Sequence, residues 1–431
     1  MDESNFECCG VTIHFLYSFV LSDERKSGRI LMDAKEVTKR YRDGKNPRAE
    51  DFGRDYPAGR HGIAPHLSLY SDAAWFQYPS LDGEIGEQPV KIERLARLFT
   101  TGSVCCISLK IPRAASQRIS TAQIRTLLGL VEGRTNGEQP VPLKTWHADD
   151  GTAVKEDSIY DLFEALVLDL CENSDAVWFG KDPGDDPEKN PQQLFRSRKP
   201  TRVGGLTETQ NPWVITVLDV DGETAEAFCG RPPAEENPAF EKLCRMKAYE
   251  RDIAPILFRA VSKDFVLEPA YLDTVDVTGA RGLANINLDA NLFVQISRRS
   301  VLCISKNQEL DPAKYFMPGL LDLCEMVRAR WHALILMNKK LDWTLRRLRT
   351  ISREDSLTKR RDILTIREWL ATGLEDPATY VIAGDALTKL HRSMIDSTGL
   401  QGLQNMLLGK MDLLDRVYRD VLTMRLMDSE D

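Results

Sequence analysis

The spacing of apolar residues divides this chain into a front part of mixed period and a back part of helical period. Val11 to Leu21 is dominated by aromatic and β-branched residues and runs into a charged, turn-prone stretch, which predicts a strand. Asp43 to Pro65 is rich in Gly, Pro, Arg and Asp without an apolar period and reads as a long surface loop. A second strand is predicted over Val104 to Ile111. A helix follows it, opened by Ser120 with Gln123 three residues on, the spacing of a capping box. In that helix Ile124, Leu127, Leu128 and Val131 share one face. Another helix opens at Ser158, with Asp161 at the capping position and Ile159, Leu162, Phe163, Leu166, Val167 and Leu170 as its apolar stripe.

Between Lys181 and Pro212 apolar residues nearly vanish, as expected of a loop or linker. Trp213 to Val220 then reads as a strand. Asp221-Gly222 supplies the positive φ angles of a tight turn into a returning strand, Glu223 to Phe228. Asn237-Pro238 starts a helix expected to run to Ile253, and Leu283 to Ser305 alternates as two or three strands.

From Asp311-Pro312 the period is helical almost to the end. Val327, Trp331, Leu334, Asn338, Leu341, Leu345 and Leu348 recur at steps of four and three, the seam of a bundle with one polar member. Shorter helices are expected over Leu357 to Thr372 and from Asp376-Pro377 to Ile395, and a last one over Leu400 to Met427. Short turns between them predict antiparallel packing. The expected architecture is therefore α+β: an N-terminal α/β domain over 1–180, a linker over 181–212, strands and a helix completing the α/β part over 213–310, and an antiparallel helical bundle with one long helix over 311–431.

Composition changes this picture little. With 57 basic and 65 acidic residues, a net charge of −8 argues against a general polyanion binder, and nucleic acid is not an expected partner. No window approaches the ~20 apolar residues of a membrane span, and the acidic start lacks a secretory n-region, so a soluble, cytoplasmic protein is expected. Nine cysteines, several inside apolar runs, read as buried thiols.

Candidate chemistry is sparse. Asp219 and Asp221, two apart after a hydrophobic strand, resemble the first motif of haloacid-dehalogenase-type phosphatases, but Glu223 stands before Thr224 where that family continues Gly-Thr-Leu. The six histidines, His14, His61, His66, His147, His332 and His391, have no metal-box spacing. No phosphate-binding glycine loop occurs, so no catalytic residue, metal ligand or cofactor is assigned. The densest charge cluster, Lys339 to Arg367, surrounds the first turn between the helical segments. Within it Arg346, Arg347, Arg353, Arg360 and Arg361 form a candidate docking surface for an acidic partner, with a solvated helical face as the plainer reading.

The segments Pro318-Gly-Leu-Leu-Asp-Leu-Cys324, Arg328-Ala-Arg-Trp-His332 and Lys410-Met-Asp-Leu-Leu-Asp-Arg-Val-Tyr418 resemble stalk helices in the cytosolic part of the CorA-type magnesium transporter family. The resemblance covers about a third of the chain and implies architecture only. That family's Gly-Met-Asn signature ends a membrane helix with no counterpart in this sequence, so no functional residue is carried over.

These readings lead to a non-enzymatic regulatory or adaptor protein that binds a protein partner, as an accessory component of a bacterial stress or defence system. Homo-oligomerisation through the helical region is a further expectation. The rivals are a soluble metal-responsive CorA-like domain and a phosphatase-type hydrolase assembled from Asp219, Asp221 and His147. Limited trypsin digestion is expected to cut first between Lys181 and Thr209, where basic residues are frequent and apolar ones few. A first cut inside Leu320 to Leu348 would contradict this division of the chain.

Overall fold

The computed structural model describes residues 7–23, 34–44, 49–53, 74–85, 88–99, 102–111, 118–120, 123–125, 127–128, 147–148, 158–179, 212–220, 254–257, 283–289, 292–297, 300–306, 313–348 and 385–427. In chain order the elements are β1 (Glu7–Cys8), β2 (Gly10–Asp23), α1 (Ala34–Arg42), β3 (Glu50–Gly53), β4 (Ala74–Ile85), β5 (Gln88–Phe99), β6 (Gly102–Ile111), β7 (Ile119–Ser120) and β8 (His147–Ala148). They continue with α2 (Ile159–Ser174), β9 (Ala176–Phe179), β10 (Trp213–Val220), α3 (Ala254–Leu257), β11 (Leu283–Asp289), β12 (Leu292–Ser297) and β13 (Ser300–Lys306). The last three are α4 (Ala313–Leu348), α5 (Asp385–Thr398) and α6 (Leu400–Met427).

Most strands join one sheet in the order β11-β12-β13-β10-β2-β6-β5-β4-β3, with β8 on β4 and β9 on β2. All pairs are antiparallel except β10 with β13. The strands expected at Val11–Leu21, Val104–Ile111, Trp213–Val220 and Leu283–Ser305 are present. The turn at Asp221-Gly222 lies outside the described residues, but β10 offers no edge to a returning strand. Trp213 to Asp219 pairs with β2 on one side, and Val214 to Val220 pairs with β13 on the other. Glu50–Gly53 within the expected surface loop forms the edge strand β3.

The β4–β5 hairpin has no counterpart in the sequence expectations. It contains Pro79, where the register shifts between Tyr78 and Leu81. The Pro79 carbonyl accepts from both Nε and Nη2 of Arg94, at 3.2 and 2.7 Å. A bulge accommodates a residue that has no N–H for the ladder.

Alternation along the strands gives the sheet two apolar faces. One carries Ile13, Phe15, Phe19, Phe76, Ile107 and Leu109 and is covered by α1 and α2. The α2 cap forms as its sequence predicts: Ser158 Oγ accepts from the Asp161 backbone N–H at 3.1 Å, and Asp175 ends the helix at φ 51°. The capping box after β7 forms too. Ser120 N–H donates to Gln123 Oε1 (2.9 Å) and Gln123 N–H donates to Ser120 Oγ (3.3 Å), while Ile124, Leu127 and Leu128 are buried. The opposite face, with Leu16, Trp75, Cys106, Trp213 and Ile215, packs against Leu320, Leu323, Cys324 and Val327 of α4.

This last contact corrects the expected fold class. No antiparallel helical bundle is formed by the described helices; the first half of the long helix is instead the third layer of a helix–sheet–helix stack. Residues 322–334 of α4 are buried all round, so the step-of-four-and-three seam is only one part of a helix enclosed on every side. Beyond it Leu334, Met337 and Leu341 pack with Leu407, Met411 and Leu414 of α6. The helix over Leu400 to Met427 lies where the sequence places it. However, α5 and α6 are separated by Gly399 alone (φ 67°), too short a link for two helices to fold back on each other as a hairpin. The helix expected over Leu357 to Thr372 lies outside the described residues.

The close fit of α4 on the sheet is visible at Gly102. A Cβ there would stand 2.8 Å from the Ala329 carbonyl oxygen, nearer than side chains tolerate. Gly102→Ala is therefore expected to destabilise the protein by about 1–3 kcal/mol, the usual cost of overpacking, measured as a lower urea midpoint. An unchanged midpoint would show that α4 does not bear on this strand.

Candidate functional site

Two features stand out once the layers are placed: a run of buried charge along α4 and an exposed apolar stripe on α6. The buried run begins at Arg97 of β5, which is 1% exposed. Its Nη1 donates to Asp322 Oδ1 at 2.6 Å and to Glu325 Oε2 at 2.8 Å. Asp322 and Glu325 are three apart on α4 and therefore share a helix face. The guanidinium carbon sits 3.6 Å from the Trp75 ring centroid and 4.6 Å from that of Phe99. Arg328 and Arg330 of α4 are buried as well, Arg328 over the Trp331 ring at 4.7 Å. His332 of α4 and His391 of α5 complete the buried set.

Burial pushes the His391 pKa down to about 4, and nearby Arg330 pushes it the same way. Such a cluster binds and orients its own members. Replacing Arg97 by an apolar residue would leave two buried carboxylates facing each other, a defect of about 3–5 kcal/mol.

The second feature lies on α6. Its inner seam, Leu400, Gln404, Leu407, Met411 and Leu414, is buried, and Lys410 Nζ donates to Asn338 Oδ1 and Asp342 Oδ1, both at 2.6 Å. On other faces Met406, Leu408 and Leu413 remain 42, 47 and 50% exposed, the large apolar residues left to solvent among those described. Met406 and Leu413 are seven apart and lie on one face, together with Gly402 and Gly409, at steps of four and three. No described atom lies within 4 Å of a Cβ built on either glycine.

Other polar groups form internal ties. Tyr41 Oη of α1 donates to Asp169 Oδ2 at 2.5 Å, and Tyr78 Oη of β4 donates to the same oxygen at 3.0 Å. The Asn173 side-chain amide donates to Asp169 Oδ1 at 3.1 Å. Burial raises the pKa of both phenols above the ordinary tyrosine value, with Asp169 adding to the rise. Asp169 thus anchors α2 to α1 and to the sheet.

His14 Nδ1 and Ser108 Oγ lie 2.7 Å apart across β2 and β6, with both residues buried. This is a serine–histidine contact, but enclosure keeps a substrate from the hydroxyl. The thiols of Cys105, Cys303 and Cys324 are enclosed, and burial raises their pKa, which suits inert core cysteines.

The residues singled out from sequence are scattered. Arg346 and Arg347 belong to the last turn of α4, while Arg353, Arg360 and Arg361 lie outside the described residues, as do Asp221, His61 and His66. Asp219 is buried at the end of β10, and its carbonyl accepts from the Cys9 N–H at 2.7 Å. His147 is exposed in β8, paired to Asp82 of β4. Asp219 and His147 are separated by five strand-to-strand steps through β2, β6, β5 and β4, about 24 Å along the sheet. They do not share a site. Among the described residues no group of three or more His, Cys, Asp or Glu is placed to hold a metal ion, and no helix is long and apolar enough to cross a membrane.

Sequence reasoning missed the α6 stripe because the inner seam of the same helix accounts for its stronger apolar residues. The signal was present in the interleaved spacing Gly402, Met406, Gly409, Leu413. Comparison with known proteins adds no relative: no family model, curated protein or solved structure matches this chain.

His391 supplies a pH prediction. The unfolded chain takes up a proton near 6.5 but the folded one only near 4, so this group's contribution to stability is complete above about 6.5 and is lost as the pH falls toward 4. The full loss is about 3 kcal/mol. Between pH 6.5 and 5 the urea midpoint of the wild type should fall, and His391→Gln should flatten that slope. Equal slopes would mean that His391 is hydrated in the folded protein.

Proposed function

We propose that this chain is a non-enzymatic regulatory or adaptor protein that engages a protein partner through the outer face of α6. The observation that carries this reading is the exposure of Met406 and Leu413 on a helix whose inner seam is already packed. Large apolar side chains aligned on one exposed face of a regular element can mark an interaction site. The rigid helix beneath supports the reading, because α6 is pinned to α4 by the apolar seam and by Lys410.

The basic cluster that begins at Arg346 and Arg347 extends the proposal. In sequence it begins one turn after Asp342, which holds Lys410 of α6, and it extends the reading to a partner with an acidic rim.

The test is capture with the full chain as bait, identified by mass spectrometry. Met406→Glu with Leu413→Glu should abolish specific capture while leaving the melting temperature near wild type, since neither side chain belongs to the core. Charge reversal at Arg346, Arg347, Arg360 and Arg361 should slow association and abolish or invert its fall with added salt, with the fold intact. Undiminished capture by both variants would overturn the proposal.

A further inference from the structure

The stripe on α6 is self-complementary. Along it large and minimal residues alternate as Gly402, Met406, Gly409 and Leu413, and the order is symmetric about the point between Leu407 and Leu408. Laid antiparallel on a second copy with the two-fold axis at that point, Met406 of one chain faces Gly409 of the other, and Leu413 faces Gly402. Every projecting side chain meets a position without one. A two-fold interface requires this property, since residue i must accept residue j while j accepts i.

We infer that the occupant of this face is a second copy of the chain, paired antiparallel in this register. The inference rests on the reading of α6 as the partner-facing element and names the partner.

The glycines fit this role better than an intrachain one. Glycine is costly inside a helix, yet no described atom comes within 4 Å of a Cβ at Gly402 or Gly409, so packing among the described residues does not require them. A facing helix would, because knobs enter holes only where the opposing backbone lets them approach. A shift of the pairing by one heptad toward the C-terminal end fits less well. Sliding one helix by a heptad puts Met406 opposite Arg416 and brings the two Asp412 carboxylates together.

The flanks agree with the chosen register. Asn405 of one copy comes alongside Asp412 of the other, twice. The Asn405 carbonyl already accepts from Gln401 Nε2 at 3.3 Å, which leaves its amide N–H groups to donate to that carboxylate. Beyond Leu413 the stripe turns charged, with Arg416 and Asp420, and this limits the seam to about 17 Å of helix. A contact this short falls at the small end of specific interfaces, so a weak, concentration-dependent dimer is expected.

Sedimentation velocity and light scattering on the full chain from about 1 to 100 µM, a range suited to an interface of that size, provide the test. Wild type should move from monomer to dimer across that range. Gly409→Met should remain monomeric, because two methionines then collide at each crossing, while its melting temperature is unchanged or raised. Met406→Gly combined with Gly409→Met exchanges knob and notch and should restore the dimer. Circular dichroism confirms that each variant is folded. A wild type that stays monomeric throughout, or a dimer indifferent to Gly409→Met, overturns self-pairing. If capture of a different protein is still lost in the Met406→Glu, Leu413→Glu variant, the adaptor reading survives that failure; if capture is unaffected as well, both fall.

Discussion

The arginine of β5 that lies between sheet and long helix constrains the rest of the molecule. Arg97 cannot be exposed without lifting α4 off the sheet, and it cannot be buried without the two carboxylates that α4 supplies at Asp322 and Glu325. A buried charge of either sign alone is prohibitive, so the three groups enter the core together or not at all. The pairing fixes which turn of α4 lies over β5. It also fixes the rotation of the helix, because only one face carries carboxylates three apart. The net contribution to stability is small after desolvation; what the ion pairs confer is register, which apolar packing of leucines alone leaves loosely defined.

With that register set, the neighbouring contacts follow. Leu320, Leu323, Cys324 and Val327 reach the apolar face of β6, β2 and β10, and the Ala329 carbonyl comes so near Gly102 that a methyl group would not fit. Four residues after Glu325 the helix has crossed to the start of β6, and by Leu334 it has passed into contact with α6. One helix thus serves two cores. Its first half closes the sheet on the side opposite α1 and α2, and its second half provides the seam on which α6 lies.

This division explains where the sequence misled. The seam from Val327 to Leu348 has the spacing of a bundle, and its distal half does pack on a helix. The charged residues of the proximal half, Asp322, Glu325, Arg328, Arg330 and His332, drew no reading as core, since burial of five ionisable groups in about three turns is not visible in a single sequence. Their partner Arg97 lies more than two hundred residues upstream, in a strand whose charges hid it from pattern reading. By contrast, the features set by local chemistry were legible. The capping box at Ser120 and Gln123, the α2 cap at Ser158 and Asp161, and the strands with unbroken β-branched runs all depend on neighbours within a few residues.

The candidate site divides along the same line. The basic cluster at Arg346 and Arg347 was conspicuous because charge density can be counted without a structure, whereas the α6 stripe needed the structure to show which of two interleaved seams is already occupied. Inner and outer faces of α6 differ by roughly half a turn, so a substitution on the outer face leaves the α4 contact untouched. That independence matters for a docking element. The inner seam, Lys410 and the Arg97 register together hold the outer face in a fixed orientation relative to the sheet, and a partner that binds it meets a surface whose ordering cost was met on folding. A four-residue stripe on a freely moving helix would have to order the helix as well, and so short a contact would have little free energy left over for affinity.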